Sequence, residues 1–275
     1  MTNATISLCD DIPMNFLVEQ QPAFAFTGNS TFDAAKPSVI FIHGAANDHR
    51  VWLDFVEPIA KLDWNVLAID LPGHGKTFAA AKSTIEDYAD WLIDLLDNGA
   101  IKDAVLVGHS MGSLIALDCA RRYASRVTKL VLIGSALPMA VSDVLMTAAR
   151  EQPDDAFDML TRWSHHVPRN VDGTFPPASA TMIASRALLG ESRYGVLAID
   201  LNACAHYTAS DATLANITPK TLVIAGRRDK LAPCTAAETI AANLPNANVV
   251  VFDNVGHAIM QDAPGETLAA LTAFL

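Results

Sequence analysis

The run AVLVGHSMGSLIAL, residues 104–117, decides how the rest of the chain is read. Its first four residues are apolar and mostly β-branched, as a strand buried on both faces requires. Its last residues, from Leu114 through Leu117, continue as an apolar helical pattern. Between them lies Gly108-His109-Ser110-Met111-Gly112, a G-x-S-x-G turn joining strand to helix. Such a turn is too tight for side chains at its flanking positions and holds the serine in a strained backbone conformation. It lifts Ser110 Oγ above the sheet edge at a helix N-terminus, where free N–H groups and the helix dipole favour developing negative charge. Ser110 is therefore the candidate nucleophile.

A serine hydroxyl needs a base, and the base needs a group to orient it. His257, in Asn254-Val255-Gly256-His257, follows the last apolar strand pattern, and Asp229, in Gly226-Arg227-Arg228-Asp229, follows the one before it. Both stand at strand carboxyl ends, where open α/β sheets bind their ligands, and the chain order serine, acid, histidine is one such sites use. Asp253, also at a strand end, is the alternative acid. A developing oxyanion would be held by two backbone N–H groups. One is that of Met111, next after the nucleophile; the other is assigned to Ala45, in His43-Gly44-Ala45-Ala46-Asn47. His43 and His74 are read as structural, His109 as pointing away from Ser110, and His165, His166 and His206 as surface or packing residues. No H-E-x-x-H or H-x-H cluster supports a metal, and no cofactor is implied.

Outward from residue 104 the same strand signal recurs at Ser38–Ile42, Asn65–Ile69, Leu130–Ile133, Thr221–Ala225 and Asn248–Phe252. Helical patterns alternate with these runs. The clearest spans about Thr84 to Asn98, with Ser83 and Glu86 as a capping box and Gly99 to end it. Alternation predicts a doubly wound, mostly parallel α/β sheet. The first 30 or so residues, with FLVEQ and AFAFTG around Gln21-Pro22, read as an edge hairpin. From Ser135 to Ala215 no core strand is found. The division expected is a core of residues 1–134 and 216–275 with a helical insertion at 135–215.

Composition bounds the partners. A formal net charge of -11 without a basic cluster argues against nucleic acid and anionic membranes, so a small-molecule substrate is expected. Cys9, Cys119, Cys204 and Cys234 stand far apart and outside any C-x-x-C spacing. With no signal-peptide pattern and no run of 18 apolar residues, a reducing, cytoplasmic setting is expected.

With these residues placed, the chain resembles the α/β-hydrolase superfamily over nearly its whole length. HGAANDHRVW (43–52) is similar to the family's oxyanion segment, with Trp52 as its aromatic. DLPGHGKT (70–77) resembles the D-x-x-G-x-G-x-S turn with Thr77 for serine. GHSMGS, GRRDKLAP and NVGHAIMQDAP resemble the nucleophile, acid and histidine loops. The resemblance implies that the insertion is a cap over the active site, with Met139 and Trp163 in the cap and Ile259 beside His257 lining a pocket for an apolar acyl or aryl group. It implies a carboxylic ester hydrolase acting through an acyl-serine. Dehalogenases and epoxide hydrolases are disfavoured, since they place aspartate where Ser110 stands. Carbon–carbon bond hydrolases commonly carry asparagine at the position of His109. A cofactor-free perhydrolase or haloperoxidase, an acyltransferase with the same triad, a carbon–carbon bond hydrolase and a non-catalytic ligand receptor are the alternatives.

Overall fold

The computed structural model describes residues 14–28 and 30–275. Cys9 and the start of the chain, on which the leader-peptide expectation rests, lie outside the described residues. A hairpin of β1 (Met14–Val18) and β2 (Gln21–Phe26) opens the fold, followed by β3 (Ser38–Ile42), α1 (Leu53–Ala60), β4 (Asn65–Ile69) and α2 (Ile85–Asn98). Then come β5 (Ala104–His109), α3 (Met111–Arg122) and β6 (Val127–Ile133). Five helices separate β6 from the next strand: α4 (Asp143–Glu151), α5 (Pro153–Ser164), α6 (Ala180–Gly190), α7 (Val196–His206) and α8 (Asp211–Leu214). The chain closes with β7 (Lys220–Gly226), α9 (Cys234–Asn243), β8 (Ala247–Phe252), α10 (Ile259–Asp262) and α11 (Pro264–Phe274).

The sheet order is β1-β2-β4-β3-β5-β6-β7-β8. From β4 to β8 every pairing is parallel, and the antiparallel β1–β2 hairpin is joined to β4 at one edge. The continuous apolar runs follow from burial on both sides. Ile40, Ile42, Leu67, Leu106 and Leu130 pack in one layer with α2 and α3; Val39, Phe41, Val66, Val105 and Val131 pack in the other with α1 and α11. After β3 the chain steps to β4 on one side and then returns to β5 on the other. That reversal is the topological switch point, where a crevice opens between loops at strand carboxyl ends. It sets the loop after β3 beside the turn after β5.

The helix cap at residue 84 differs from the capping box read at Ser83. Thr84 is the N-cap, its hydroxyl accepting from Asp87 N at 3.1 Å. Two adjacent hydroxyl residues are equivalent in sequence, and the backbone leaves the extended region after the second. The inserted helices have an apolar cluster of their own, including Leu145, Phe157, Leu160, Leu197 and Leu201, with Ala46 of the core packed into it. Among the described residues, no helix is long and apolar enough to cross a membrane.

Candidate active site

Ser110 is held where the sequence places it, with φ 53° and ψ −118°, immediately before α3. This is left-handed backbone that a residue with a Cβ adopts only under constraint. The constraint is the closeness of its neighbours. A Cβ on Gly108 would stand 2.1 Å from Gly112 O, and one on Gly112 would stand 2.3 Å from Ile42 O. Strand, turn and helix interlock without space for either side chain. Ser110 N donates to Ile133 O at 2.9 Å, and Ser113 Oγ donates back to Ser110 O at 2.6 Å.

His257 and Asp229 meet at the same edge. His257 Nδ1 lies 2.7 Å from Asp229 Oδ2, while Asp229 Oδ1 accepts from Leu231 N and Ala232 N, each at 2.8 Å. An ionised carboxylate only accepts, so Nδ1 carries the proton and Nε2 is left as the basic nitrogen. Burial pushes the Asp229 carboxyl up, but His257 and the two backbone N–H groups outweigh it, so its pKa lies below the ordinary value. Asp253, the alternative acid, is exposed and ion-paired to Arg227 at 2.6 Å, away from His257.

Ser110 and His257 line one cavity of about 360 Å³ between the strand ends and the inserted helices. Ala45 and Gly44 border it from the loop after β3. Met111 begins α3, so its N–H has no partner within the helix. Met139 and Trp163 are on the cavity wall as read from the sequence, together with Leu145, Leu160, Leu189 and Leu201. Ile259 is not. It is fully buried in the layer with Trp52, Phe55 and Leu271, because α10 begins at this residue and turns it toward the sheet face. Ala258 and Gln261 border the cavity instead.

His109 does not address Ser110; its Nε2 donates to His257 O at 3.0 Å, and its ring lies 4.9 Å from the His257 ring. Burial, and next the neighbouring His257, push its pKa down to about 3, so it is neutral. His43 is likewise pushed down to about 4, chiefly by burial. Its Nε2 accepts from Leu71 N. His165, read from the sequence as a surface or packing residue, borders the cavity. It is buried on the wall, with Nδ1 2.6 Å from Asp262 Oδ1 and Nε2 3.0 Å from Ser185 Oγ. Nothing local in sequence marks it, because its partners lie 97 and 20 residues away. Arg186 pairs with Asp154 and Asp158, and Arg193 donates to the carbonyls of Thr77 and Gly75. Among the described residues, Asp48, His49 and Asp70 bring three potential metal-ligand atoms within 4.8 Å of one another. The Asp70 oxygens there accept from His49 N and Lys76 N, and those of Asp48 hold Arg50, so the group works as an internal ion-pair cluster.

Comparison with known proteins follows the same lines. The model of the alpha/beta hydrolase family matches residues 39–271. A pimeloyl-[acyl-carrier protein] methyl ester esterase of Aromatoleum aromaticum is 31% identical over 236 residues, covering 81% of this chain and 92% of the relative. A 2-hydroxy-6-oxononadienedioate/2-hydroxy-6-oxononatrienedioate hydrolase of Cupriavidus pinatubonensis is 28% identical over 239 residues, covering 82% and 81%. Among solved structures, the enol-lactonase from Burkholderia xenovorans superposes with a TM-score of 0.82 at 20% identity over 95% of this chain and 99% of that one, a likeness of fold.

Proposed function

The chain belongs to the alpha/beta hydrolase family, and on that premise we propose that it is a serine hydrolase cleaving a small to medium, mainly apolar carboxylic ester through an acyl-serine. The observation that carries this reading is the strained Ser110 turn sharing a cavity with an imidazole whose Nδ1 is tied to a buried carboxylate. Ser110 Oγ attacks the ester carbonyl as its proton passes to His257 Nε2. The carbonyl oxygen becomes an oxyanion held by the N–H groups of Ala45 and Met111. His257 returns the proton to the departing alcohol, leaving the acyl-serine. Water then repeats the sequence, its proton passing through His257 to Ser110 as the acid is released. Asp229 keeps the imidazole in the working tautomer and stabilises it when charged.

Residues 135–215 act as the cap that closes the cavity, and the leucines on its wall favour apolar acyl or aryl groups. The relatives include an esterase and a 2-hydroxy-6-oxononadienedioate/2-hydroxy-6-oxononatrienedioate hydrolase alike; what favours ester bonds over carbon–carbon bonds is His109, where carbon–carbon hydrolases commonly carry asparagine. A cytoplasmic setting fits the free thiols Cys119, Cys204 and Cys234. The test is turnover of a chain-length series of nitrophenyl esters by wild type and Ser110→Ala, with a serine-reactive phosphonate located by mass spectrometry. Turnover lost in the variant and label on Ser110 are expected; a folded Ser110→Ala with wild-type turnover would sink the reading.

A further inference from the structure

The cavity that holds Ser110 and His257 is largely apolar toward the inserted helices, where Leu145, Leu160 and Leu201 line it. One stretch of its wall is polar, and that stretch adjoins the loop of His257. Ala258 N donates to Ser164 O at 2.9 Å, and a Cβ on Gly256 would stand 2.3 Å from the same oxygen, so the end of α5 is pressed onto that loop. His165 follows Ser164 there, and Gln261 stands in α10, directly after the loop. His165, Gln261 and Ser185 of α6 all border the cavity.

The polar groups of this stretch are not all spent within the protein. His165 Nδ1 lies 2.6 Å from Asp262 Oδ1, and a carboxylate only accepts, so Nδ1 carries the ring proton. Nε2 of the neutral ring, 3.0 Å from Ser185 Oγ, then accepts the Ser185 O–H. Ser185 Oγ is left with lone pairs that meet no other donor among the described residues. Gln261 Oε1 is buried and likewise has no partner among them. Other hydroxyls of the lining are engaged: Thr161 Oγ1 donates to Phe157 O, and Ser142 Oγ accepts from Leu145 N. Buried acceptors without donors are rare and costly, and a ligand that brings a donor relieves them. The competing occupant is water, which would create no preference among esters.

We propose that Gln261 and Ser185 are specificity residues that select an ester whose alcohol part carries a hydroxyl group, which donates to Gln261 Oε1 or Ser185 Oγ. This rests on the reading of Ser110 as nucleophile and His257 as base. The base returns its proton to the leaving oxygen, so the departing alcohol lies on the histidine's side of the cavity, beside the polar stretch. The test measures kcat/KM for hydroxyethyl butyrate and propyl butyrate, which differ by a hydroxyl in place of a methyl, in wild type, Gln261→Leu, Ser185→Ala and the double variant. Wild type should favour the hydroxyethyl ester, and the ratio should fall about 3- to 10-fold in the double variant, the worth of one neutral hydrogen bond. Intrinsic reactivities of the two esters cancel when the ratio is compared between proteins. A purely structural part for these side chains would lower both esters alike and leave the ratio in place. Propyl β-hydroxybutyrate, with the hydroxyl on the acyl part, should show no such shift against propyl butyrate; a shift confined to that ester overturns the placement on the alcohol side. An unchanged ratio in the folded double variant overturns the proposal. If the double variant does not fold, the single variants decide, and a ratio that neither of them moves overturns it. A wild type with neither ester turnover nor phosphonate label at Ser110 overturns the reading of the site and this inference with it, whereas turnover and label without the shift in ratio overturn this inference alone.

Discussion

Asp229→Asn tests the geometry of the site more sharply than truncation, because the structure dictates which way the new amide must face. Asp229 Oδ1 accepts two backbone N–H groups, from Leu231 and Ala232, while Oδ2 meets His257 Nδ1. An asparagine that turns its oxygen to the backbone pair satisfies both donors and presents its NH2 to His257. Nδ1 must then accept, the ring proton moves to Nε2, and the base for Ser110 is lost. The opposite orientation keeps the working tautomer but sets an NH2 against two backbone N–H groups, one buried and one half-buried. Leaving each unsatisfied costs about 1–3 kcal/mol, so the working arrangement is disfavoured by roughly 2–6 kcal/mol. At about 1.4 kcal/mol per decade, kcat should fall between about 30-fold and about 10⁴-fold, the upper figure matching what a wrong tautomer costs a serine triad. Every hydrogen bond survives in the favoured orientation, so the melting temperature should drop only about 2–4 °C, corresponding to about 1 kcal/mol. Steady-state kinetics on a nitrophenyl ester and thermal unfolding by circular dichroism read both quantities. A folded Asp229→Asn that loses less than about 10-fold in kcat would refute the reasoning.

Three further outcomes are expected of the same fold. Gly108→Ala would place a Cβ 2.1 Å from the backbone oxygen of Gly112, which cannot move without displacing α3; the variant should be insoluble or melt more than about 10 °C lower, at about 3 kcal/mol or more, and a native-like melting curve would contradict the packing. Thr77 Oγ1 accepts from Phe24 N at 2.9 Å in a buried setting, so Thr77→Val should lose about 1–3 kcal/mol in urea titration whereas Thr77→Ser stays close to wild type. His109 is neutral in the fold, with its pKa pushed down to about 3, and the unfolded chain binds its proton near 6.5. The unfolded state therefore holds more protons between these values, and stability falls as pH drops through that window; His109→Gln should show a shallower fall in urea midpoint from pH 6.5 to 4, and an unchanged slope would show that this ring does not contribute.

The parts of the fold that were legible are those where one physical demand acts on consecutive residues. Burial on both faces makes β3 and β4 unbroken apolar runs, and their ends coincide with the sequence reading. The start of β6 was obscured, since Lys129 interrupts the apolar run; its Nζ is taken by the carbonyls of Phe274 and Leu275, so the strand continues through it to Val127. The meeting of Asp229 with His257 was legible because both follow strands of one sheet, so topology alone brings them to one edge. Ile259 was misread for the converse reason. Adjacency to His257 in sequence says nothing about side-chain direction once a new helix begins there. The place of His165 on the cavity wall and the contacts of Asp200 were not legible, the partners of the first lying 20 and 97 residues away and those of the second between 112 and 154.

The Asp200 contacts bear on what kind of object the insertion is. An independent lid would meet the core through apolar surface and exposed pairs, so that either part could be altered without harm to the other. Here α7 brings a fully buried carboxylate to three donors that all belong to the core: Ala46 N, Tyr88 OH and the His74 ring. Truncating Asp200 in place would leave two neutral donors buried without their acceptor, at about 1–3 kcal/mol each, and the His74 ring without its carboxylate at more. A domain whose whole stability is typically about 5–15 kcal/mol would not carry that loss easily. The surface of α6, where Ile183 is exposed, is under no comparable constraint. Sequence change in the insertion should accordingly be tolerated on the exposed face of α6 around Ile183 and resisted at Asp200, and a core expressed with residues 135–215 replaced by a short linker should fail to fold as a soluble unit. A soluble, cooperatively melting core without the insertion would show that the buried charge cluster is not part of what holds the fold together.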